Sequence, residues 1–229
     1  MIKEKFLETV KEYHLLARGD HILIGVSGGV DSIALLYLLD SYKEELGITL
    51  HVAHLNHMIR KDDAERDLKF VQNLANRLKI PVTSQSIDVQ AFARRKKMSL
   101  EMAARQIRYD FFERVAKRIA ANKIAVGHTA DDNVETFLMR LLRGSGIKGL
   151  CGIPPKRGKI IRPLIKTWRR EIEDYVGRLK LVPRRDYTNY ESKYMRNRVR
   201  MKLIPQLKIF NLNIKEIILQ TVLLLTEDS

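Results

Sequence analysis

A single cysteine, Cys151, stands among the 229 residues. It excludes an internal disulfide and any cysteine-built zinc or iron–sulfur centre within this chain. Its neighbours Leu150 and Gly152 suggest a buried small hydrophobe rather than a thiol nucleophile. No apolar run reaches the roughly 18 residues that a membrane-spanning helix needs. The N-terminus, Met1-Ile2-Lys3-Glu4-Lys5-Phe6, carries no signal-peptide core, so a cytoplasmic location with no membrane partner is the expectation. Internal repeats and low-complexity tracts are missing as well. Acidic residues are in deficit: 27 Asp and Glu face 42 Lys and Arg, a formal net charge of +15. That surplus points to a polyanionic partner, nucleic acid first, although charge alone does not separate tRNA from DNA or an acidic membrane.

What is present alternates strand and helix. His21 to Val26 is short, apolar and β-branched, and Ile33 to Leu39 is a helix former with little polar interruption. Ile48 to Leu55 reads as a second strand, followed by a polar helix from about Asp62 to Leu78. Pro81 to Ser86 reads as a third strand. A long helix starts near Ser99, a fitting N-cap, with Leu100, Ala104, Ile107, Phe111, Val115 and Ile119 at helical spacing. Lys123 to Gly127 reads as a fourth strand, Asp131 to Leu142 as the next helix, and a further helix runs from about Trp168 to Leu179. The fold class is therefore α/β, a Rossmann-like parallel sheet with helices on both faces. Ligands in such sheets bind beyond the C-terminal ends of the strands. The segments that follow strands are then the ones to read for chemistry.

After the first strand stands Ser27-Gly28-Gly29-Val30-Asp31-Ser32. Strand, Gly-rich turn and helix is a context in which backbone N–H groups and a helix N-terminus hold phosphate. Two glycines let the backbone approach an anion, while two hydroxyls and a carboxylate stand ready for phosphate oxygens and a metal. The lysine of a Walker A loop is absent, and so is G-x-G-x-x-G spacing. This hexapeptide resembles the PP-loop of the ATP pyrophosphatases of the N type, which implies that ATP is split between its α and β phosphates to activate an acceptor as an adenylate.

Further segments narrow the resemblance. Gly127 to Pro154, with Thr129-Ala130-Asp131-Asp132-Asn133-Val134-Glu135-Thr136 inside it, is similar to the tRNA(Ile)-lysidine synthases. So are His51 to Arg60, Arg140 to Gly146, Arg162-Pro163-Leu164, and the tail from Asp186-Tyr187-Thr188-Asn189 to Arg196-Asn197-Arg198-Val199-Arg200. The match runs from about residue 20 to residue 207. It implies a ligase with ATP and Mg²⁺ as cofactors and free L-lysine and the CAU-anticodon isoleucine tRNA as partners. The C2 oxygen of the wobble cytidine is adenylated, and the ε-amine of lysine then displaces AMP to give lysidine.

The residues suit that chemistry. Mg²⁺ takes few carboxylates and several waters, and Asp31 and Asp132 follow strands that can lie side by side. Glu135 lies three residues beyond Asp132 on nearly the same helix face. Asp131 is expected to cap that helix and favour its dipole, leaving Asp132 and Glu135 for function. His128 is a candidate to orient a phosphate or assist proton transfer. Ala53, through its backbone, and His54 are candidates for the adenine pocket, whereas His57 remains open. Deprotonating the lysine ε-amine at pH 7 costs about 4.6 kcal/mol, at roughly 1.36 per pKa unit. Asp132 or Glu135 is the candidate to bind that ammonium or take its proton.

Basic groups complete the reading. Arg94-Arg95-Lys96-Lys97 falls in a stretch that looks loop-like, where the charge run suits a solvated loop or phosphate binding alike, and the resemblance implies a tRNA contact. The resemblance makes Arg105 and Arg108 substrate or phosphate ligands, although Glu101 and Arg105 also suit a surface pair. Arg196, Arg198 and Arg200 offer planar donors for phosphate, with Arg200 the best single candidate. Residues 1–207 are expected to form the catalytic domain. Residues 208–229 read as an apolar linking helix leading toward a tRNA-binding region. Ile217, Ile218, Leu219 and Val222 to Leu225 make it apolar nearly all round, which fits a fragment of a longer chain or a helix that packs on the domain or on a second copy; self-association, as a homodimer, is the expectation.

Overall fold

A computed structural model describes residues 2–56, 58, 61–184 and 195–227. His57, Ile59, Arg60 and the 186–189 tail segment lie outside the described residues. In chain order, α1 (Ile2–Glu12) leads into β1 (His21–Gly25), α2 (Val30–Leu46), β2 (Thr49–Asn56), α3 (Lys61–Arg77) and β3 (Val82–Ser86). Then come α4 (Val89–Lys96), α5 (Leu100–Arg118), β4 (Lys123–Ala125), α6 (Ala130–Leu141) and α7 (Ile147–Leu150). A hairpin of β5 (Lys156–Arg157) and β6 (Ile160–Ile161) precedes α8 (Arg169–Arg178). After α9 (Met195–Arg198), a π-helical stretch, Val199–Leu203, runs into α10 (Ile204–Phe210), and α11 (Ile214–Glu227) follows.

Strand alternation sets the layers. In β1, Ile22 and Ile24 enter one core with α1, α2, α3 and α8, while Leu23 enters the other with α4 and α5. All three are fully buried, each contributing about 1.5–3 kcal/mol of transfer free energy. The sheet order is β3-β2-β1-β4-β6-β5, parallel throughout except for the β5–β6 hairpin. That is the doubly wound sheet expected, with a hairpin edge that was not. Strands of two residues carry no periodic signal, so β5 and β6 were invisible in the sequence.

Local chemistry explains most boundaries. Asp88, Ser99 and Thr129 cap α4, α5 and α6 through side-chain oxygens that accept from the backbone N–H three residues on. The basic run from Arg94 is not a loop: it forms the last turn of α4, where cations favour the helix dipole, and Lys97 ends it at φ 51°. β4 stops at Ala125, two residues short of expectation. The expected boundary at 207/208 falls inside α10, and α11 packs on α6 through Ile218, Leu219 and Val222. Cys151 is half-buried rather than buried, its Sγ 3.3 Å from the Leu225 carbonyl. No single helix among the described residues is long and apolar enough to cross a membrane.

Candidate active site at the sheet's switch point

From β1 the chain winds outward through β2 and β3, then returns to place β4 on the other flank of β1. The crevice between the C-terminal ends of β1 and β4 is where a doubly wound sheet binds its ligand. The loop after β1 is Val26 to Gly29, and the loop after β4 is Val126 to Thr129. Gly127 allows the two to touch, since a Cβ there would stand 3.1 Å from the Asp31 backbone carbon.

The first loop is built for an anion. Gly28 holds φ +89°, a conformation costly for any side-chain-bearing residue. Ser32 Oγ donates to the Gly29 carbonyl at 2.8 Å and accepts from the Ser27 N–H at 3.2 Å, which fixes the turn. Ser27 Oγ accepts from the Gly29 N–H at 3.3 Å. Unlike α4, α5 and α6, α2 begins without a side-chain cap: Gly29 supplies none, and Val30 opens the helix. The first-turn donors are left for an anion. Arg184 leans on this loop, donating its N–H to the Gly28 carbonyl at 3.0 Å and its Nε–H to Asp67 at 2.7 Å.

Carboxylates converge opposite. Asp31 Oδ2 accepts from Arg169 Nη1 at 2.5 Å, while Oδ1 is buried with no partner among the described residues. Burial, opposed by Arg169 and reinforced by Asp132, pushes the Asp31 carboxyl up to about 7. Capping of α6 falls to Asp132, not to Asp131. Thr129 and Asp132 form a reciprocal capping box, with Asp132 Oδ2 accepting from the Thr129 N–H at 2.9 Å. Asp132 Oδ1 faces Arg196 at 3.8 Å. Asp131 instead accepts from the Arg169 N–H at 2.7 Å and pairs with Lys215 of α11, whose ammonium lies 4.5 Å over the Trp168 ring.

Glu135 is brought to the site, but both its oxygens are bound by Arg200. Burial raises its pKa, and the Arg200 bonds hold it down. Asp31 fits Mg²⁺ in one respect: its Oδ1 is a buried, partnerless carboxylate oxygen of the kind a hard cation takes, with Asp132 close enough to raise the Asp31 pKa. No group of three or more His, Cys, Asp or Glu that could hold a metal stands among the described residues.

Two histidines flank the crevice with opposite roles. His54 is 2% exposed, and its Nδ1 lies 2.8 Å from the Val26 carbonyl. A carbonyl only accepts, so Nδ1 carries the proton and Nε2 is an acceptor, buried and unpartnered among the described residues. Ala53 lies inside the sheet, its carbonyl accepting from the Val26 N–H at 2.9 Å. His128 shows the reverse arrangement, because its Nδ1 accepts from Arg162 Nε at 3.0 Å. Arg105 stacks on Tyr109 at 5.0 Å and stands close enough to His128 and Arg162 to lower the basicity of both. Arg108 lies exposed three residues further along α5.

A family model described as the PP-loop domain matches residues 1–207. The chain belongs to the PP-loop domain family. That match supports ATP binding by this PP-loop domain. Over 98% of the chain it is 42% identical to a tRNA(Ile)-lysidine synthase of Caldanaerobacter subterraneus subsp. tengcongensis, covering 48% of that protein. It is 38% identical to another tRNA(Ile)-lysidine synthase, from Dehalococcoides mccartyi, over 100% of the chain and 50% of that protein. The chain thus spans about half the length of the curated relatives it matches. Among solved structures, the U34-tRNA thiolase NcsA from Methanococcus maripaludis with its [4Fe-4S] cluster aligns at TM-score 0.77 and 22% identity. The alignment covers 99% of this chain and 78% of that one, and it speaks for the fold alone.

Arg162 and Arg169 are the site residues to which the sequence assigned no role. Each follows an irregular or two-residue element, where spacing says nothing about direction.

Proposed function

We propose that this chain carries the catalytic part of an ATP-dependent ligase that joins lysine to C2 of the wobble cytidine in the CAU-anticodon isoleucine tRNA. Adenylation of the base would precede attack by lysine, with AMP and pyrophosphate released. The observation that carries this reading is the convergence of the PP-loop, Asp31, Asp132, Glu135, His128 and Arg200 on one crevice. It occurs in a chain about 40% identical over nearly its whole length to tRNA(Ile)-lysidine synthases.

Each role follows from the geometry. The uncapped start of α2 and the Ser27–Ser32 turn suit the triphosphate. Asp31 and Asp132 would hold Mg²⁺, which neutralises phosphate charge. His54 Nε2, a buried acceptor, suits an amino or hydroxyl hydrogen of the nucleoside. Arg200 and Arg196 reach toward the carboxylate side, where leaving-group charge needs donors. Asp132 Oδ2 closes the capping box, so its Oδ1, with only Arg196 at 3.8 Å among the described residues, is the oxygen it would offer to Mg²⁺. The basic last turn of α4, with Arg105 and Arg108 on α5, offers phosphate contacts for the RNA. ATP, free lysine and tRNA meet in the cytoplasm, where this chemistry would run.

A cytidine or uridine thiolase is the second reading. Most such enzymes carry paired cysteines for a cluster or persulfide, whereas Cys151 is the one cysteine of this sequence, its Sγ 3.3 Å from the Leu225 carbonyl of α11. The deciding assay is ATP-dependent incorporation of labelled lysine into an isoleucine tRNA transcript with a wobble C, and into one with that C replaced. Incorporation into the first only is expected; incorporation into neither, with pyrophosphate exchange intact, would refute the reading.

A further inference from the structure

We propose that Arg162 is a positioning residue for His128: its Nε–H holds Nδ1 as an acceptor, so that His128 meets the triphosphate as a neutral Nε2–H donor and takes no part in proton transfer.

The direction of the bond carries the argument. A guanidinium has five N–H donors, no acceptor and no accessible neutral form. The 3.0 Å contact between Arg162 Nε and His128 Nδ1 therefore has one polarity, and the proton of the neutral imidazole sits on Nε2. Arg162 is itself fixed. It is 3% exposed, its Nη1 donates to the Pro154 carbonyl at 2.7 Å, and its N–H donates to the Pro155 carbonyl at 2.9 Å. The Tyr109 side chain supplies another hydrogen bond. These partners are an imidazole, a carbonyl and a phenol, so the buried cation is not there to neutralise an acid. Its rigid fork aims one N–H at one ring nitrogen.

Protonating His128 would set an Nδ1–H against the Arg162 Nε–H, donor against donor. The charged groups around the ring agree. Burial disfavours the imidazolium most, Arg162, Arg196 and Arg105 oppose it, and Asp132 alone favours it, leaving the His128 pKa at about 4. The backbone completes the mount, with the His128 N–H donating to the Val126 carbonyl at 3.0 Å at the end of β4. A neutral N–H donor fixed at the switch point stabilises developing negative charge without reorganisation.

The inference rests on the proposed ATP chemistry for its kinetic arm but not for its spectroscopic one. In ¹⁵N-histidine-labelled wild type at pH 7, the His128 ring should show an unprotonated Nδ1 and a protonated Nε2. A protonated Nδ1, or a tautomer-averaged ring, would overturn the proposal even if no ATP activity were found. Arg162→Met should convert the ring to an averaged signal. It should also lower kcat for ATP–pyrophosphate exchange by about 100-fold, with the KM for ATP moving less than about threefold. If that variant does not fold, two changes at His128 decide. His128→Gln keeps an N–H near the Nε2 position and should lose no more than about tenfold, whereas His128→Ala should lose about 100-fold or more. Equal losses in the two would mean that the ring's acid–base chemistry is needed, and the proposal would fail.

Discussion

Arg200 grips Glu135 with both arms of its guanidinium, Nε to Oε1 at 2.6 Å and Nη2 to Oε2 at 3.1 Å. The carboxylate side chain is 1% exposed and the guanidinium 41%, so the acid belongs to the core and the base to the crevice. Arg196 Nε stands 3.6 Å from Oε2, which further commits that oxygen. Glu135 is thus an anchor that aims Arg200 from the π-helical stretch at the carboxylates of the switch point. The candidacy of Glu135 as the lysine-binding carboxylate loses its basis here, because neither of its oxygens is open to an ammonium.

Glu135→Gln keeps the shape but halves the grip. A hydrogen bond to a charged group contributes about 1.5–3 kcal/mol, and partial exposure of Arg200 screens it, so a loss near 1 kcal/mol is expected in urea unfolding. In kinetics, turnover should fall while the KM for lysine moves no more than that for ATP. A selective rise in the lysine KM would restore Glu135 as the ammonium site. Arg200→Ala should lower turnover as much as Glu135→Gln, and the double variant should be little worse than either.

Asp31 predicts an unusual pH response. Its carboxyl is pushed up to about 7 in the fold, chiefly by burial, against an ordinary value near ~3.9 in the unfolded chain. Between those values the folded protein keeps a proton that the unfolded chain releases. The contribution of Asp31 to stability is therefore whole below about pH 4 and is lost as pH rises through about 7. Without divalent cations, Asp31→Asn should melt higher than wild type at pH 8, and the gap should close toward pH 5. A constant gap would place the titration elsewhere. The same variant should abolish ATP–pyrophosphate exchange, because the partnerless oxygen it removes is the proposed cation ligand.

The parallel sheet was legible because four strands and the helices between them each carry an unbroken periodic or apolar run. The site was legible where its residues sit in strand-to-helix turns: Ser27 to Ser32 follow β1, and His128 and Asp132 follow β4. Directions were not legible. Spacing put Asp131 and Asp132 together at a helix start, but only the Thr129 hydroxyl decides that Asp132 closes the capping box and Asp131 turns to Lys215. The basic run at Arg94 was mistaken for a loop because its charge masked a short helix whose apolar side is Val89, Phe92 and Ala93. Arg162 and Arg169 act across long sequence separations, 34 residues to His128 and 138 to Asp31, which no local pattern encodes.

Gly28→Ala isolates the loop's backbone demand. A methyl group would meet the Arg184 side chain at 3.5 Å and the Phe70 ring at 3.7 Å, ordinary contact distances, so space is adequate and conformation is the obstacle. With φ at +89°, the cost should be about 1–2 kcal/mol, visible in the denaturation midpoint. The turn should also relax away from its anion-binding form, so ATP affinity should fall. An alanine variant with wild-type stability and ATP affinity would show that the positive φ is not needed.

The C-terminal helices predict association. Phe210 is 88% exposed and Leu212 81%, with Ile209 and Leu224 also open; α10 packs on the π-helical stretch and on α11, and α11 packs on α6. Such apolar surface gains roughly 25 cal/mol for each Å² removed from water, and nothing polar on those side chains opposes it. The net charge of +15 works the other way, since two copies repel at low salt. Self-association should therefore strengthen as salt rises, the opposite of a salt-bridged interface. Sedimentation at high micromolar concentration should show a dimer growing with sodium chloride, and Phe210→Asp with Leu212→Asp should return the protein to monomer. A strictly monomeric profile at high salt would mean that this surface does not pair with a second copy.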